Sequence, residues 1–171
     1  LYPAPEGWTP AQGLQFRPTA ATPEDARAQL LRESLTCDNW PMMIRAFRTV
    51  MNLELPTKPT PLTGMDKMLH HSLLQSELAE FAAADGVIEQ VDGLIDVIYV
   101  AIGALKHLGL TDGQILSAFA EVHASNMTKV TDAGKPLVND GAVDPSEPIG
   151  KILKTHNYIR PALAEAMSLE A

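Results

Sequence analysis

The 171-residue chain has one cysteine, few basic residues, no long apolar run and, over much of its length, no proline. The lone Cys37 excludes an internal disulfide and a cysteine metal cluster, and it fits a reducing compartment. Lysine and arginine total 13 against 21 acids, a net of -8, which argues against a partner made mainly of phosphodiester backbone. The longest uncharged apolar stretch in a helical segment, Val97 to Leu105, falls far short of the roughly 20 residues that cross a bilayer. These absences predict a soluble cytoplasmic protein that binds neither nucleic acid nor membrane. Proline is the most telling: Pro61 is followed by none until Pro136, leaving 74 residues free to run as long helices.

That window also holds most of the charge, with 10 acids and 4 bases, or -6 of the -8. Length suits one domain, and 46% hydrophobic residues suffice for a core. Residues 1–21 carry four prolines and read as an irregular arm. Thr22-Pro23-Glu24-Asp25 has the order of a helix start: a capping hydroxyl, proline, then two acids. This helix should end near Cys37. Pro41 opens a second through Ile44, Phe47, Val50 and Met51, and Pro56, Pro59 and Pro61 force an extended strap. Met65, Met68, Leu69, Leu73, Leu74, Leu78 and Phe81 then recur at helical spacing until Asp85-Gly86 breaks the pattern. Ile88, Val91, Ile95, Ile98, Tyr99, Ile102 and Leu105 carry the next helix toward Gly109, and Thr111 or Asp112 caps one running toward Met127. Asp132 to Asn157 reads as a loop or hairpin, and the tail after Pro161 as a last turn or two of helix. The expected organisation is an arm with a short helix over 1–40 and an all-α antiparallel bundle over 41–171.

The chemistry lies in the acids around the Asp85-Gly86 turn. Glu77 and Glu80 share a face of one helix, and Asp92 and Asp96 share a face of the next. An antiparallel hairpin pairs Glu77 with Asp96 and Glu80 with Asp92, whose index sums differ by one, so the four carboxylates should converge. Apolar neighbours (Leu73, Phe81, Ile88, Ile95, Tyr99) put them on the inward face. Like charges there repel and lose hydration, so either some acids are protonated or a hard divalent cation sits among them; oxygen-only ligands favour Mg²⁺ or Mn²⁺ over zinc. The competing reading is an ordinary solvated face. A di-iron carboxylate bundle needs Glu-x-x-His pairs, which the chain lacks. Downstream, Glu121-Val122-His123-Ala124-Ser125-Asn126-Met127-Thr128-Lys129 ends a helix in small polar residues and one lysine. That lysine can reach a phosphate, or can simply complement the helix dipole.

These residues resemble the all-alpha nucleoside triphosphate pyrophosphohydrolases, the MazG-like group that includes phosphoribosyl-ATP pyrophosphohydrolase and dimeric dUTPases. The group's mark is Glu-Glu-x-x-Glu on one helix and Glu-x-x-Asp on the next. Here these read Ser76-Glu77-Leu78-Ala79-Glu80 and Asp92-Gly93-Leu94-Ile95-Asp96. Glu121 to Lys129 looks like the Glu-Val-His-x-Ser-Asn-Met-x-Lys segment of a bacterial and phage branch, and Asn157-Tyr158-Ile159-Arg160-Pro161 like a motif that follows it. Two departures stand out. Ser76 replaces the first glutamate, and Gly93 stands at the second motif's glutamate with Asp92 one residue earlier.

The resemblance implies a Mg²⁺-dependent hydrolase, with Mn²⁺ as a substitute, that cleaves a nucleoside triphosphate between its α and β phosphates to a monophosphate and pyrophosphate. It assigns Glu77 and Glu80 as catalytic, Glu77, Glu80, Asp92 and Asp96 as metal ligands, and Asn126, Lys129 and Tyr158 as nucleotide contacts. It further implies a homodimer or homotetramer. The alternatives are a phosphoribosyl-ATP pyrophosphohydrolase, against which the lack of a lysine- and histidine-rich tail counts, and a nucleotide-binding homologue that has lost turnover through Ser76 and Gly93.

Overall fold

The computed structural model describes residues 28, 29, 32 and 39–169. The irregular arm, the helix start at Thr22 and Cys37 lie outside the described residues; Ala28, Gln29 and Arg32 are helical. Between 39 and 169 the chain runs through five helices, and among the described residues it forms no strand, only two isolated antiparallel bridges. The all-α class is therefore what the protein adopts. No described helix is long and apolar enough to cross a membrane. The chain divides into two compact units, Leu1–Leu110 and Thr111–Ala171.

In the first unit α1 spans Trp40–Val50. The Asn39 side chain accepts from Met42 N at 3.1 Å and Pro41 lies in the first turn, so the helix starts where a capping amide and a φ-fixed residue coincide. It ends at Met51, and Asn52 follows with φ 55°, a left-handed exit that asparagine tolerates. The proline strap then runs back to the far end of the long helices. There Thr60 N donates to Leu108 O at 2.8 Å. Gly109, at φ +81°, passes so close to the strap that a Cβ would lie 2.2 Å from Lys58 O, which admits only glycine.

The two long helices are α2, Gly64–Ala83, and α3, Val87–His107, joined by a three-residue turn. Gln90 Nε2 donates to Ala84 O at 3.0 Å and steadies that turn. The central element is α3: α2 packs along it, and so does α1, whose Ile44 and Ala46 are buried. Phe47 of α1 meets Tyr99 of α3 edge-on, ring centroids 5.7 Å apart. At the end away from the turn, His70 of α2 hydrogen-bonds His107 of α3 through Nε2 and Nδ1 at 2.9 Å.

The second unit begins with α4, Asp112–Met127. Thr111 and Gln114 form a reciprocal capping box, so both readings of its start, Thr111 or Asp112, fall within one residue of the observed one. A short α5, Leu163–Ala166, packs on α4. Gln114 Nε2 reaches Met167 O at 3.0 Å. Between them the expected loop or hairpin is a hairpin-like loop bridged at Val130–Pro136 and Val138–Ile152.

Candidate active site

The turn between α2 and α3 brings Glu80, Asp92 and Asp96 within electrostatic reach of Glu77. The Glu77 carboxyl is held above the usual glutamate range, first by partial burial and then by the charges of Glu80, Asp96 and Asp92. The helix contact sits close to the register expected from sequence: Gly93 is buried against Phe81, within two residues of the pairing that joins Glu77 to Asp96 and Glu80 to Asp92.

Two details differ from expectation. The acids were expected on an inward face, but only Glu77 is half-buried; Glu80, Asp92 and Asp96 are exposed. The reason is that the flanking apolar residues are open as well, Ile88 at 77% and Ile95 at 50% exposure, so among the described residues this side of the two-helix layer is uncovered. Gly93 has a packing explanation. A Cβ there would lie 3.0 Å from Phe81 N and 3.1 Å from its Cα, so a side chain at that position requires the α2 backbone to give by a few tenths of an ångström, whereas Asp92, one residue earlier, is exposed. Ser76 is exposed on α2.

Beside the carboxylates lies an apolar cleft of about 190 Å³, lined by Trp40, Met43 and Ile44 of α1 and by Ile95, Ile98, Tyr99 and Ile102 of α3. At about 100° per residue, Tyr99 projects between the cleft-lining Ile95 and the two carboxylates Asp92 and Asp96. Burial raises the Tyr99 hydroxyl above its usual range, so it remains a neutral donor at the cleft wall. The site thus joins an anionic surface to a slot with two aromatic walls.

In the second unit the two remaining motifs, some thirty residues apart, are tied together. Ser125 is buried and its Oγ donates to Ile159 O at 2.6 Å; Thr128 Oγ1 accepts from Ile159 N at 2.8 Å; Glu121 Oε1 accepts from Ala162 N at 2.8 Å. Asn157 Nδ2 donates to Val130 O at 3.0 Å. Ser125 is therefore a structural tie, whereas Asn126 and His123 are exposed. Tyr158 is half-buried, with Lys154 Nζ 4.8 Å and Lys129 Nζ 6.0 Å from its ring centroid. Sequence reasoning singled out Lys129 and Tyr158 but missed Lys151 and Lys154, which line a cavity together with Lys129. Their only signal was a basic spacing inside a segment read as loop.

Among the described residues, no group of three or more Asp, Glu, His or Cys side chains is arranged so that it could hold a metal ion as it stands. The donor chemistry nevertheless suits a hard cation: all four groups are oxygen acids, and Glu77 carries the mark of their uncompensated charge. Mg²⁺ keeps several waters and is held by one or two carboxylates plus substrate phosphates rather than by a protein cage, so an open carboxylate face meets its needs. Residues 44–126 match the family model described as phosphoribosyl-ATP pyrophosphohydrolase. No curated protein matches the chain.

Proposed function

We infer, from the premise that residues 44–126 are a phosphoribosyl-ATP pyrophosphohydrolase domain of the MazG-like all-alpha superfamily, that the protein hydrolyses a nucleoside triphosphate between its α and β phosphates. The family implies a hydrolase acting on a phosphoric anhydride; the triphosphate substrate and the monophosphate and pyrophosphate products are our reading. The observation that carries it is the gathering of carboxylates at Glu77, whose carboxyl is pushed up first by partial burial and then by three further carboxylates drawn from two helices. Such a surface repels a triphosphate unless a cation intervenes. Glu77, Glu80, Asp92 and Asp96 would hold Mg²⁺, or Mn²⁺, which when bound neutralises phosphate oxygens and lowers the pKa of water. Glu77 and Glu80 lie three residues apart on one face of α2, where they align the phosphate chain and the attacking water.

The slot between Trp40 and Tyr99 offers the nucleobase aromatic walls beside these carboxylates. We place the base there rather than against Tyr158, whose ring neighbours include two ammonium groups. We further propose that the protein works as a homodimer or homotetramer in nucleotide-pool control. A second reading, hydrolysis of phosphoribosyl-ATP, is favoured by the description of the matched family.

The test is pyrophosphate release from canonical and modified nucleoside triphosphates and from phosphoribosyl-ATP, with and without Mg²⁺. Mg²⁺-dependent release from a triphosphate supports the first reading, and release confined to phosphoribosyl-ATP supports the second. Nucleotide binding without release from any substrate identifies a homologue without turnover. Glu80→Ala should abolish Mg²⁺-dependent release with helix content unchanged by circular dichroism, and persistence of the parent rate would refute the site.

A further inference from the structure

The loop between α4 and α5 forms an open cavity of about 400 Å³ whose lining includes three lysines, Lys129, Lys151 and Lys154, and two acids, Asp144 and Glu147. It lies beyond the matched residues 44–126. Both acids are already committed. The Asp144 carboxylate accepts from Ser146 N at 3.1 Å and from Ser146 Oγ at 2.6 Å, which holds it below the usual carboxylate range. Glu147 pairs with Lys151. Lys129 and Lys154 have no carboxylate among the described residues; what they share is the ring of Tyr158. Two ammonium groups gathered at one aromatic ring repel each other, and the ring quadrupole offsets only part of that.

The loop that holds them is fixed by a polar hub rather than by apolar packing. Asn139 is 1% exposed, the largest fully buried side chain among the described residues. Its Nδ2 donates to the carbonyls of Asp144 at 2.8 Å and Glu147 at 2.7 Å, and its Oδ1 accepts from the amides of Gly141 and Asp144, each at 3.2 Å. Its backbone N donates to Lys151 O and its carbonyl accepts from Gly150 N, both at 2.8 Å. On the other wall Thr155 Oγ1 donates to Val130 O at 2.6 Å, locking the segment of Lys154 and Tyr158 to the residue after Lys129. Any ordered loop must pair its buried backbone groups, and here the same pairing also fixes the segments that carry the lysines. A site that must hold its cations ready for an anion needs such a frame.

We propose that this cavity binds a phosphate or pyrophosphate group, with Lys129 and Lys154 as its direct ligands and Lys151, held by Glu147, adding positive charge at the wall. The choice of ligand rests on the pyrophosphohydrolase reading, which supplies both triphosphate and pyrophosphate; the charge geometry does not. Ammonium groups serve as point charges for phosphate, so each should form a charge-assisted hydrogen bond.

The test is calorimetric titration of the full chain with sodium pyrophosphate in the absence of divalent ions at low ionic strength, with inorganic phosphate and a nucleoside monophosphate as further probes. Saturable binding is expected, weakened about tenfold or more by Lys154→Ala and further by the Lys129→Ala, Lys154→Ala pair, the loss of one charge-assisted contact each. Saturable binding of pyrophosphate, of inorganic phosphate or of the monophosphate supports the site, and the order of their affinities says which phosphate group it takes. Glu80→Ala should bind pyrophosphate like the parent, so a protein that binds here without turning over any substrate would sink the functional reading and leave this one standing. No saturable binding, or equal binding by the double variant, overturns the proposal. Lys154→Arg, which keeps the charge, should retain most of the affinity and so separates charge from folding.

Discussion

Glu77 and His70 titrate in opposite directions, and each sign has a consequence. The Glu77 carboxyl is raised above its ordinary value near 4.5 in the fold, so its favourable contribution is fully present below that value and is lost as pH rises through the folded pKa. At neutral pH the carboxylate cluster therefore strains the metal-free chain. Glu77→Gln should raise the melting temperature at neutral pH without divalent ions while removing Mg²⁺-dependent turnover. Added Mg²⁺ should raise the parent's melting temperature at neutral pH and have no effect where the carboxyls are protonated; an equal gain at both pH values would place the ion elsewhere. His70 is lowered by burial first, then by the charges of His107 and Arg48, against the opposing pull of Asp66. Its Nδ1 is buried with no partner among the described residues, so a proton placed there gains no acceptor. Stability is fully present above its ordinary value near 6.5 and falls as pH drops through and below it. Thermal melts across that range should show the decline, and His70→Gln should flatten it. Trp40, half-exposed at the mouth of the apolar slot, is the third residue-scale test. If the base stacks there, Trp40→Ala raises KM about tenfold with little change in kcat, the worth of roughly 1–3 kcal/mol for one stacked base; an unchanged KM moves the base elsewhere.

At the scale of elements, the α2–α3 hairpin was legible because its information is local. Apolar spacing, the Asp85-Gly86 break and the pairing of acids across it all lie within some thirty residues, and the helices found, Gly64–Ala83 and Val87–His107, follow that pattern. Gly93 was harder to read. Sequence marked it only as a departure from a motif, whereas the fold shows it as a point where α3 passes close to the backbone of α2. Gly93→Ala decides between those views. Helix propensity alone favours alanine by about 1 kcal/mol, but a Cβ 3.0 Å from Phe81 N must push the helices apart, at about 1–3 kcal/mol. We expect net destabilisation and a loss of turnover as the four carboxylates shift, measured by denaturant midpoint and pyrophosphate release together; a more stable, fully active variant would show that the contact is slack. The loop after α4 was the least legible element. Its order comes from Asn139, whose partners Asp144, Glu147, Gly150 and Lys151 are joined through backbone groups that any residue carries. No side-chain pattern announces such a hub, and the lysine cavity built on it stayed hidden for the same reason.

At the scale of the whole molecule, the unsolved problem is apolar surface. Val87, Ile88, Val91 and Ile95, all on the part of α3 nearest the turn, are each half or more exposed, and patches of this kind mark association surfaces. Covering each side chain is worth about 1.5–3 kcal/mol, so one copy of the patch yields gross stabilisation on the order of 10 kcal/mol. Association itself costs about 4–15 kcal/mol. A single foreign partner would thus be held weakly by this face alone. Two copies related by a twofold axis bury the patch twice with one association cost, which is why a second copy of this chain is the partner we expect. The same closure would cover Ile88 and Ile95, raise the burial of Glu77, and make the carboxylate face the inward one that its flanking residues anticipate. Light scattering should accordingly give the mass of a dimer or tetramer. Ile88→Lys, which sets an ammonium in the patch, should lower that mass to a monomer and reduce Mg²⁺-dependent turnover, with helix content retained. A parent chain that is monomeric at concentrations where it is fully active would refute the association. A monomeric Ile88→Lys that keeps the parent rate would show instead that one hairpin suffices for the chemistry.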